Sequence, residues 1–353
     1  MERWGAGSNC PEAESGLRGR CAAAGGRGEG RSSGKPLLWF GNTGSIRPML
    51  YRLPKQAKQA PKRRRSNVSI RLEVQDAFKF LTKLKPGSVD LIVSSPPYCM
   101  GKEYDTSISI DDFIADHKKL APLLVRALKD GGSLCWQVGH HVNNGVVIPL
   151  DALVYQIFSK RKTLSLRNRI VWSFGHGVHA SRRFSGRHET ILWFTKGDNY
   201  EFNLDVVRVP QKYPGKRHYK GPHKGKFSGN PLGKNPSDVW EIPNVKSRHI
   251  EKTSHPCQFP VALVQRLVRA LTKRGGLVVD PFMGSGTSAA SAAIEGRRFA
   301  GCDVSQTYVM IAKQRVAKAR KKQLQFRPLD RPIYRPSGNE AVAKRPPHFL
   351  SVK

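Results

Sequence analysis

Short apolar or β-branched runs alternate with helical patterns between residues 68 and 322, and this alternation limits the chain to a small set of folds. Seven runs indicate β-strands: Val68–Val74, Val89–Ser94, Ser133–Val138, Arg169–Phe174, Thr190–Phe194, Leu277–Asp280 and Arg298–Cys302. Six patterns indicate helices: Ala77–Leu84, Ile110–Leu128, Leu150–Lys160, Pro260–Lys273, Ser288–Glu295 and Gln306–Lys322. Strands that alternate with helices favour a parallel sheet with right-handed crossovers. The sequence therefore predicts an α/β domain.

The charge of the chain favours a polyanionic partner. The 353 residues include 61 Lys and Arg against 26 Asp and Glu, which gives a formal net charge of +35. A positive field of this size attracts nucleic acid, although charge alone leaves a basic ribosome-associated protein as an alternative.

The apolar runs and the cysteines indicate in which cellular compartment the protein is found. No apolar run approaches the roughly 18 residues of a membrane span, and the N-terminal residues lack the apolar core of a secretory signal. Six cysteines show neither metal-ligand spacing nor a disulfide framework: Cys10, Cys21, Cys99, Cys135, Cys257 and Cys302. We therefore expect a cytoplasmic protein with reduced thiols, no metal site and no membrane contact.

Two tails flank the domain. Residues 1–66 are rich in Gly, Arg, Ser and Ala and end in a basic run, so we expect a disordered basic arm. Met49 is an alternative initiator, which leaves open whether residues 1–48 are translated. Residues 323–353 are rich in Pro and Arg, and we expect a loose C-terminal tail there.

The α/β rhythm is interrupted between residues 205 and 240. This stretch has five glycines and eight Lys or Arg residues against two acidic residues. A loop of this length in a compact domain is usually functional or disordered. Tyr213, Tyr219 and Phe227 lie among the basic residues, which suits contact with phosphates and bases, and a solvated surface loop is the alternative.

A glycine-rich bend follows the predicted strand Leu277–Asp280 and leads into a helix that begins near Thr287. Such bends bind nucleotide-like cofactors, because backbone approaches the ligand closely and the helix N-terminus offers free N–H groups. Gly284 and Gly286 remove side chains that would block this approach, and Thr287 at the start of the helix is a further candidate cofactor-binding residue. Asp280 closes the strand and offers oxygens that can accept hydrogen bonds from an ammonium group.

The next predicted strand ends in an acidic residue, Asp303. An acidic residue at the end of the second strand, about 20 residues further on, commonly holds nucleoside hydroxyls. The bend lacks the GxGxxG pattern of dinucleotide-binding proteins, so we expect a smaller nucleoside cofactor.

A second bend, Ser95-Pro96-Pro97-Tyr98, follows the predicted strand Val89–Ser94. The two prolines fix φ and leave carbonyls without competing N–H donors. The Ser95 hydroxyl and the Pro96 carbonyl can accept both N–H bonds of an exocyclic amine, and Tyr98 offers a flat face for an extruded base. An ordinary turn that caps a buried strand is the alternative. Ligands bind at the carboxyl ends of strands in open α/β sheets, so we expect the two bends to lie side by side.

At these residues the chain resembles the S-adenosylmethionine-dependent DNA methyltransferases that modify exocyclic amino groups. It is similar to their circularly permuted branch, in which the catalytic bend precedes the cofactor bend and the target-recognition region lies between them. The likeness runs from about Ser69 to Arg320. Four further stretches carry it: Gln75–Ala77, Gly101–Tyr104, Glu189–Phe194 and Lys252–Pro260.

The resemblance implies a Rossmann-like, seven-stranded methyltransferase sheet. The methyltransferase domain would span residues 67–322, with a catalytic half at 67–204 and a cofactor-binding half at 241–322. The basic stretch 205–240 would be the target-recognition insertion, and double-stranded DNA would be the partner.

The resemblance also implies roles for individual residues. Four would line the methionine side of S-adenosylmethionine: Asp280, facing the ammonium group, Phe282, Gly284 and Gly286. Asp303 would bind the ribose, and Asp76 would lie near the adenine. The segment from His255 to Pro260 would wrap the methionine end.

Ser95 at the head of the catalytic bend favours cytosine N4 as the methylated atom, because Asp or Asn at that place usually accompanies adenine N6 in the family. Adenine N6 stays an alternative, and a catalytically silent nucleic-acid-binding protein is another. The sequence does not reveal the DNA site that is recognised, an accompanying restriction endonuclease, or the oligomeric state.

Overall fold

The computed structural model describes residues 68–98, 109–175, 177, 179–335, 337, 340 and 344. The predictions for the basic arm, Met49, Cys99 and the stretch Gly101–Tyr104 therefore lie outside the described residues, as does about half of the C-terminal tail. The described elements are, in chain order, β1 (Ile70–Val74), α1 (Ala77–Thr82), β2 (Val89–Ser94), α2 (Ile110–Ala127), β3 (Leu128–Val138), β4 (His140–Asn143), β5 (Val146–Pro149), α3 (Leu150–Phe158), β6 (Leu164–Ser173), β7 (His188–Lys196), β8 (Val239–Glu241), α4 (Val261–Leu271), β9 (Leu277–Asp280), α5 (Thr287–Glu295), β10 (Arg298–Asp303) and α6 (Gln306–Arg320).

Eight of these strands form one sheet in the order β1-β10-β9-β2-β3-β7-β6-β8. The first five strands of that order run parallel to one another, whereas β7 is antiparallel to both β3 and β6. The predicted α/β class is confirmed, and all seven predicted strands are present. The expectation of a parallel sheet is wrong for β7, because alternating apolar residues do not encode strand direction.

The structure adds an eighth strand to the predicted seven and a separate hairpin. The eighth, β8, has three residues, which is too short to show a periodic pattern. The hairpin pairs β4 with β5 around Asn144 and Gly145, whose φ angles are 48° and 81°. Asn-Gly with two positive φ angles is the signature of a tight hairpin turn, so the sequence did carry a signal for this element.

The helices cover both faces of the sheet because neighbouring residues of each strand point to opposite faces. Ile92 and Val279 pack in the apolar core with α1, α2 and α3. Leu91 and Val278 pack in the second core with α4, α5 and α6. All six predicted helices are present, with ends that lie within two residues of the predicted ones. Among the described residues, no helix is long and apolar enough to cross a membrane.

The strand order reverses between β2 and β9. The chain leaves β9 through α5 to β10 on one side, and leaves β2 toward α2 and β3 on the other. β2 and β9 are direct neighbours, with Leu91 opposite Val278 and Ile92 opposite Val279. Their carboxyl ends therefore lie together at the switch point of the sheet, which is the usual ligand-binding position in this architecture.

Candidate active site

A cavity of about 370 Å³ opens at this switch point. Both the bend after β2 and the bend after β9 line it. The volume falls in the range of roughly 300–1,000 Å³ that is typical of small-molecule sites. The predicted adjacency of the two bends is therefore confirmed.

Most of the predicted site residues line this cavity. Those that do are Asp76, Ser95, Pro96, Pro97, Tyr98, His255, Phe282, Gly284, Thr287 and Asp303. Three predicted residues lie outside the lining: Pro260, Asp280 and Gly286. Pro260 is instead the residue that precedes α4.

Asp280 is fully buried beneath the cofactor bend. Its Oδ1 accepts hydrogen bonds from Ser94 Oγ at 2.6 Å and from the Phe282 amide at 3.1 Å, and its Oδ2 accepts one from Ser288 Oγ at 2.5 Å. Burial raises the pKa of Asp280 to about 6, and these hydrogen bonds oppose that rise. The carboxylate ties β2, β9 and α5 together, while its predicted contact with an ammonium group stays a prediction.

The two glycines of the cofactor bend have different neighbours. Gly284 has φ of +48°, and a Cβ there would lie 2.7 Å from His255 Nε2. Gly286 has φ of +74°, and a Cβ there would lie 2.4 Å from the Cβ of Ala312. The bend therefore needs glycine at both places, but Gly284 lets it approach His255 at the cavity, whereas Gly286 lets α5 pack against α6.

Two carboxylates line the cavity at the ends of neighbouring strands. Asp303 accepts hydrogen bonds from the Gly284 amide at 3.0 Å and the Ser305 amide at 2.9 Å, and burial raises its pKa. Asp76 caps α1, because its Oδ1 accepts from the amides of Phe78 at 3.0 Å and Lys79 at 3.1 Å. These bonds fix both carboxylates at the same edge, since β1 pairs with β10.

A segment that precedes α4 forms another wall of the cavity. His255 packs on Tyr308, with ring centroids 4.4 Å apart, and burial lowers the pKa of His255 to about 4. The imidazole is therefore neutral at physiological pH. Glu251 anchors the segment, because its backbone carbonyl accepts a hydrogen bond from Gln258 Nε2 at 2.8 Å and its side chain accepts one from the Val261 amide at 2.8 Å.

A polar network that the sequence did not predict lies beside the catalytic bend. Tyr98 donates its hydroxyl to Glu189 Oε1 at 3.3 Å, and Gln137 donates to Glu189 Oε2. Burial raises the pKa of Glu189 to about 7. Glu189 and Gln137 come from the antiparallel strands β7 and β3, so only the register of this pair brings them together.

Further lining residues were also missed by the sequence analysis. They are Trp172, Phe174, Asn244 and Tyr308. Trp172 lies in β6 and Phe174 directly after it, Asn244 follows β8, and Tyr308 lies in α6; no local motif marks these positions.

The basic insertion lies mostly exposed outside this cavity. Antiparallel bridges join Val209 to Lys234 and, further along, Arg217 to Phe227, so the stretch folds back on itself. The Arg217 guanidinium lies 4.2 Å from the centre of the Phe227 ring. Tyr219 is 82% exposed at the turn between these paired segments. Val239 and Trp240, which the prediction placed in the insertion, belong to β8.

The fold defines an α/β protein in which a proline-rich bend and a glycine-rich bend line one cavity at the switch point of the sheet. Residues 89–314 match the model of the N6/N4 DNA methylase family. This match covers more than half of the chain, so the protein belongs to that family.

Curated relatives agree with this assignment. The chain is 45% identical over 240 residues to the type II methyltransferase M.BglII of Bacillus subtilis, a match that covers 68% of this chain and 66% of that protein. It is 33% identical over 246 residues to the DNA adenine methyltransferase YhdJ of Escherichia coli K12, covering 68% and 80% of the two chains.

Solved structures show the same fold. The cytosine-N4-specific PvuII DNA methyltransferase superposes with a TM-score of 0.56 at 20% identity, covering 73% of this chain and 94% of that one. The Thermus thermophilus protein TTHA0409, solved with S-adenosyl-L-methionine, superposes with a TM-score of 0.50 at 27% identity and covers 71% and 94%.

The protein is an S-adenosylmethionine-dependent DNA methyltransferase. The residues present fit this cofactor. Asp76 and Asp303 offer acceptors for nucleoside groups along one wall of the cavity, and His255 and Tyr308 offer aromatic surface. Gly284 keeps the bend free of a side chain at the place where a Cβ would collide with His255.

Proposed function

We propose that this methyltransferase transfers the methyl group to the exocyclic N4 of a cytosine that is extruded from double-stranded DNA. The observation that carries the proposal is the position of Ser95, which lines the cavity beside the cofactor bend. The resemblance of the bend to Ser-headed members of the family supports cytosine as the base.

Ser94, the last residue of β2, and Ser95, the first residue of the bend, have different tasks. Ser94 is fully buried and donates its hydroxyl to Asp280. Ser95 is half-buried at the cavity, with Pro96 next to it. The Ser95 hydroxyl and the Pro96 carbonyl would accept the two N–H bonds of the amine. These bonds orient the nitrogen lone pair toward the methyl donor, so positioning contributes more than proton abstraction.

The methyl donor, S-adenosylmethionine, supplies an electrophilic methyl group on a sulfonium. Asp303 and Asp76 would hold its nucleoside part, and the segment from His255 would cover its methionine part. Neutral His255 adds no positive charge beside a cationic sulfonium, which suits this placement.

Tyr98 would stack on the extruded base and replace stacking energy that is lost from the duplex. Glu189 would act as a positioning residue, because it accepts the hydrogen bond from the Tyr98 hydroxyl and is itself held by Gln137. The ring of Tyr98 also packs closely on Gly139, where a Cβ would lie 3.1 Å from Cε2 of the tyrosine.

Expression in a bacterial host that lacks DNA methylation, followed by digestion of its DNA to nucleosides and mass spectrometry, tests the choice of base. The expected product is N4-methylcytosine, at a strongly reduced level in a Ser95→Ala control. N6-methyladenine as the only product would overturn the proposal that cytosine is the target base. Adenine is the second candidate because the chain is similar to the adenine methyltransferase YhdJ. Sequencing the modified positions in the same DNA gives the recognised site.

A further inference from the structure

The loop between β6 and β7 lies at the same edge of the sheet as the two bends. β7 is antiparallel to both β3 and β6, so β6 ends, and β7 begins, at the edge where β2 and β3 end. Phe174, directly after β6, and Glu189, near the start of β7, both line the cavity. The described residues between them, 175, 177 and 179–187, therefore emerge from the rim of the proposed base pocket.

The base of this loop is tied down. The Phe174 amide donates to the Arg187 carbonyl at 3.1 Å, and the Ala180 amide donates to Ser185 Oγ at 3.1 Å. Gly186 lies against the His140 imidazole, because a Cβ there would be 2.7 Å from Cε1 of that ring. The bond between Ala180 and Ser185 closes a short tip at residues 181–184.

The tip carries a fully exposed aromatic side chain among cations. Phe184 is 100% exposed, more than any other large apolar residue that the structure describes. Arg182 and Arg183 precede it and are also exposed. Single exposed apolar residues are common on protein surfaces. Here the exposed ring lies next to two cations, and the loop that carries it begins at the rim of a site that would receive a base from a duplex.

We propose that Phe184 is a wedge that enters the base stack of duplex DNA where the target base leaves it, and that Arg182 and Arg183 contact the adjoining phosphates. This proposal rests on the proposed function, since it needs a base to be extruded from a duplex. Apolar side chains that insert between base steps are an established way to unstack and deform DNA. The loop already holds the Phe184 ring at the rim of the cavity. The ring can therefore fill the space that the extruded base leaves in the duplex without losing much conformational freedom.

The wedge has a signature that phosphate contacts lack. Extruding a base costs a few kcal/mol and costs least when the base is already mispaired. A side chain that helps to open the pair therefore matters for a paired target and matters little for a mispaired one. A side chain that only contacts phosphate matters equally for both.

The test compares methylation of two duplexes that carry the mapped site, one with the target base paired and one with it mispaired. For Phe184→Ala we expect kcat/KM to fall about 10- to 100-fold on the paired duplex and less than about 3-fold on the mispaired one. Phe184→Trp should retain most of the activity on both. Tyr219→Ala, which removes another exposed aromatic ring, is the matched control and should change both duplexes by the same factor.

Equal losses on the two duplexes, or no loss on either, would overturn the proposal. A change of oligomeric state in Phe184→Ala, without dependence on pairing, would identify the ring as a protein contact and would also overturn it. Failure of the wild-type protein to methylate either duplex is a different outcome, since it contradicts the proposed function itself.

Discussion

Two carboxyl groups near the site, Asp280 and Glu189, share an electrostatic feature but differ in their surroundings. Burial raises the pKa of Asp280 to about 6 and that of Glu189 to about 7. Asp280 is enclosed by Ser94, Ser288 and the Phe282 amide and does not line the cavity. Glu189 lines the cavity and accepts its bonds from Tyr98 and Gln137.

The difference teaches that a raised pKa alone does not mark a residue that meets substrate. Both groups are desolvated, and desolvation disfavours the charged form wherever it occurs. What separates them is access to the cavity. We therefore assign Asp280 to support of the cofactor bend and Glu189 to positioning of Tyr98, and the predictions below probe this division.

The largest expected effect is that of Asp280→Ala on stability. The change leaves two buried hydroxyls and one partly buried amide without their acceptor, so we expect the free energy of unfolding to fall by about 3 kcal/mol. Denaturation by urea measures it. Asp280→Asn, which keeps one acceptor oxygen, should lose less. A variant with wild-type stability that no longer binds S-adenosylmethionine would instead favour the ammonium contact predicted from the sequence.

The neighbouring serines give the next comparison. Ser95→Ala should lower kcat by about 100-fold with little change in stability, because positioning of the reacting nitrogen is lost while the fold keeps its buried bonds. Ser94→Ala should lower stability by about 1 kcal/mol, because it removes a hydrogen bond to buried Asp280. Steady-state kinetics and urea denaturation of both variants measure these effects. The reverse pattern would exchange the roles of the two serines.

A smaller effect is expected in the contribution of Glu189 to the pH dependence of protein stability. Its pKa of about 7, raised from 4.5, means that the folded protein holds a proton which the unfolded chain releases. Its contribution to stability is complete below about pH 4.5 and is lost as the pH rises to about 7. The stability of the wild type relative to Glu189→Gln should therefore fall by about 2 kcal/mol between pH 5 and pH 7.5.

Urea denaturation of both proteins across that pH range checks the prediction. The wild type and Glu189→Gln share the raised pKa of Asp280, so its effect cancels in the difference between their free energies of unfolding. A difference that stays constant with pH would show that Glu189 is ionised throughout.

The sequence predicted the parts of the site that depend on local chemistry. The proline-rich bend after Ser94 and the glycine-rich bend after Asp280 could be placed because each follows a buried strand and carries its own backbone constraints. Their adjacency followed from the rule that ligands lie at the carboxyl edge of such sheets. The seven predicted strands could also be found from local apolar patterns, whereas the three-residue β8 and the hairpin of β4 and β5 were not predicted.

What the sequence did not predict depends on pairing between distant strands. Glu189 meets Tyr98 only because β7 inserts antiparallel between β3 and β6, and periodicity does not encode that direction. The enclosure of Asp280 depends on Ser94, 186 residues away along the chain. Gly286 appeared to serve ligand approach in the sequence, but its neighbour in the structure is Ala312 of α6.

The central claim is that the two bends form one site in which Tyr98 receives a cytosine extruded from DNA. Photocrosslinking tests it most directly, with a duplex that carries 5-iodocytosine at the mapped target position and with S-adenosylhomocysteine present. Peptide mass spectrometry of the product should place the crosslink on Tyr98, and Tyr98→Ala should abolish it. A crosslink on a residue outside the cavity, unaffected by Tyr98→Ala, would contradict the account.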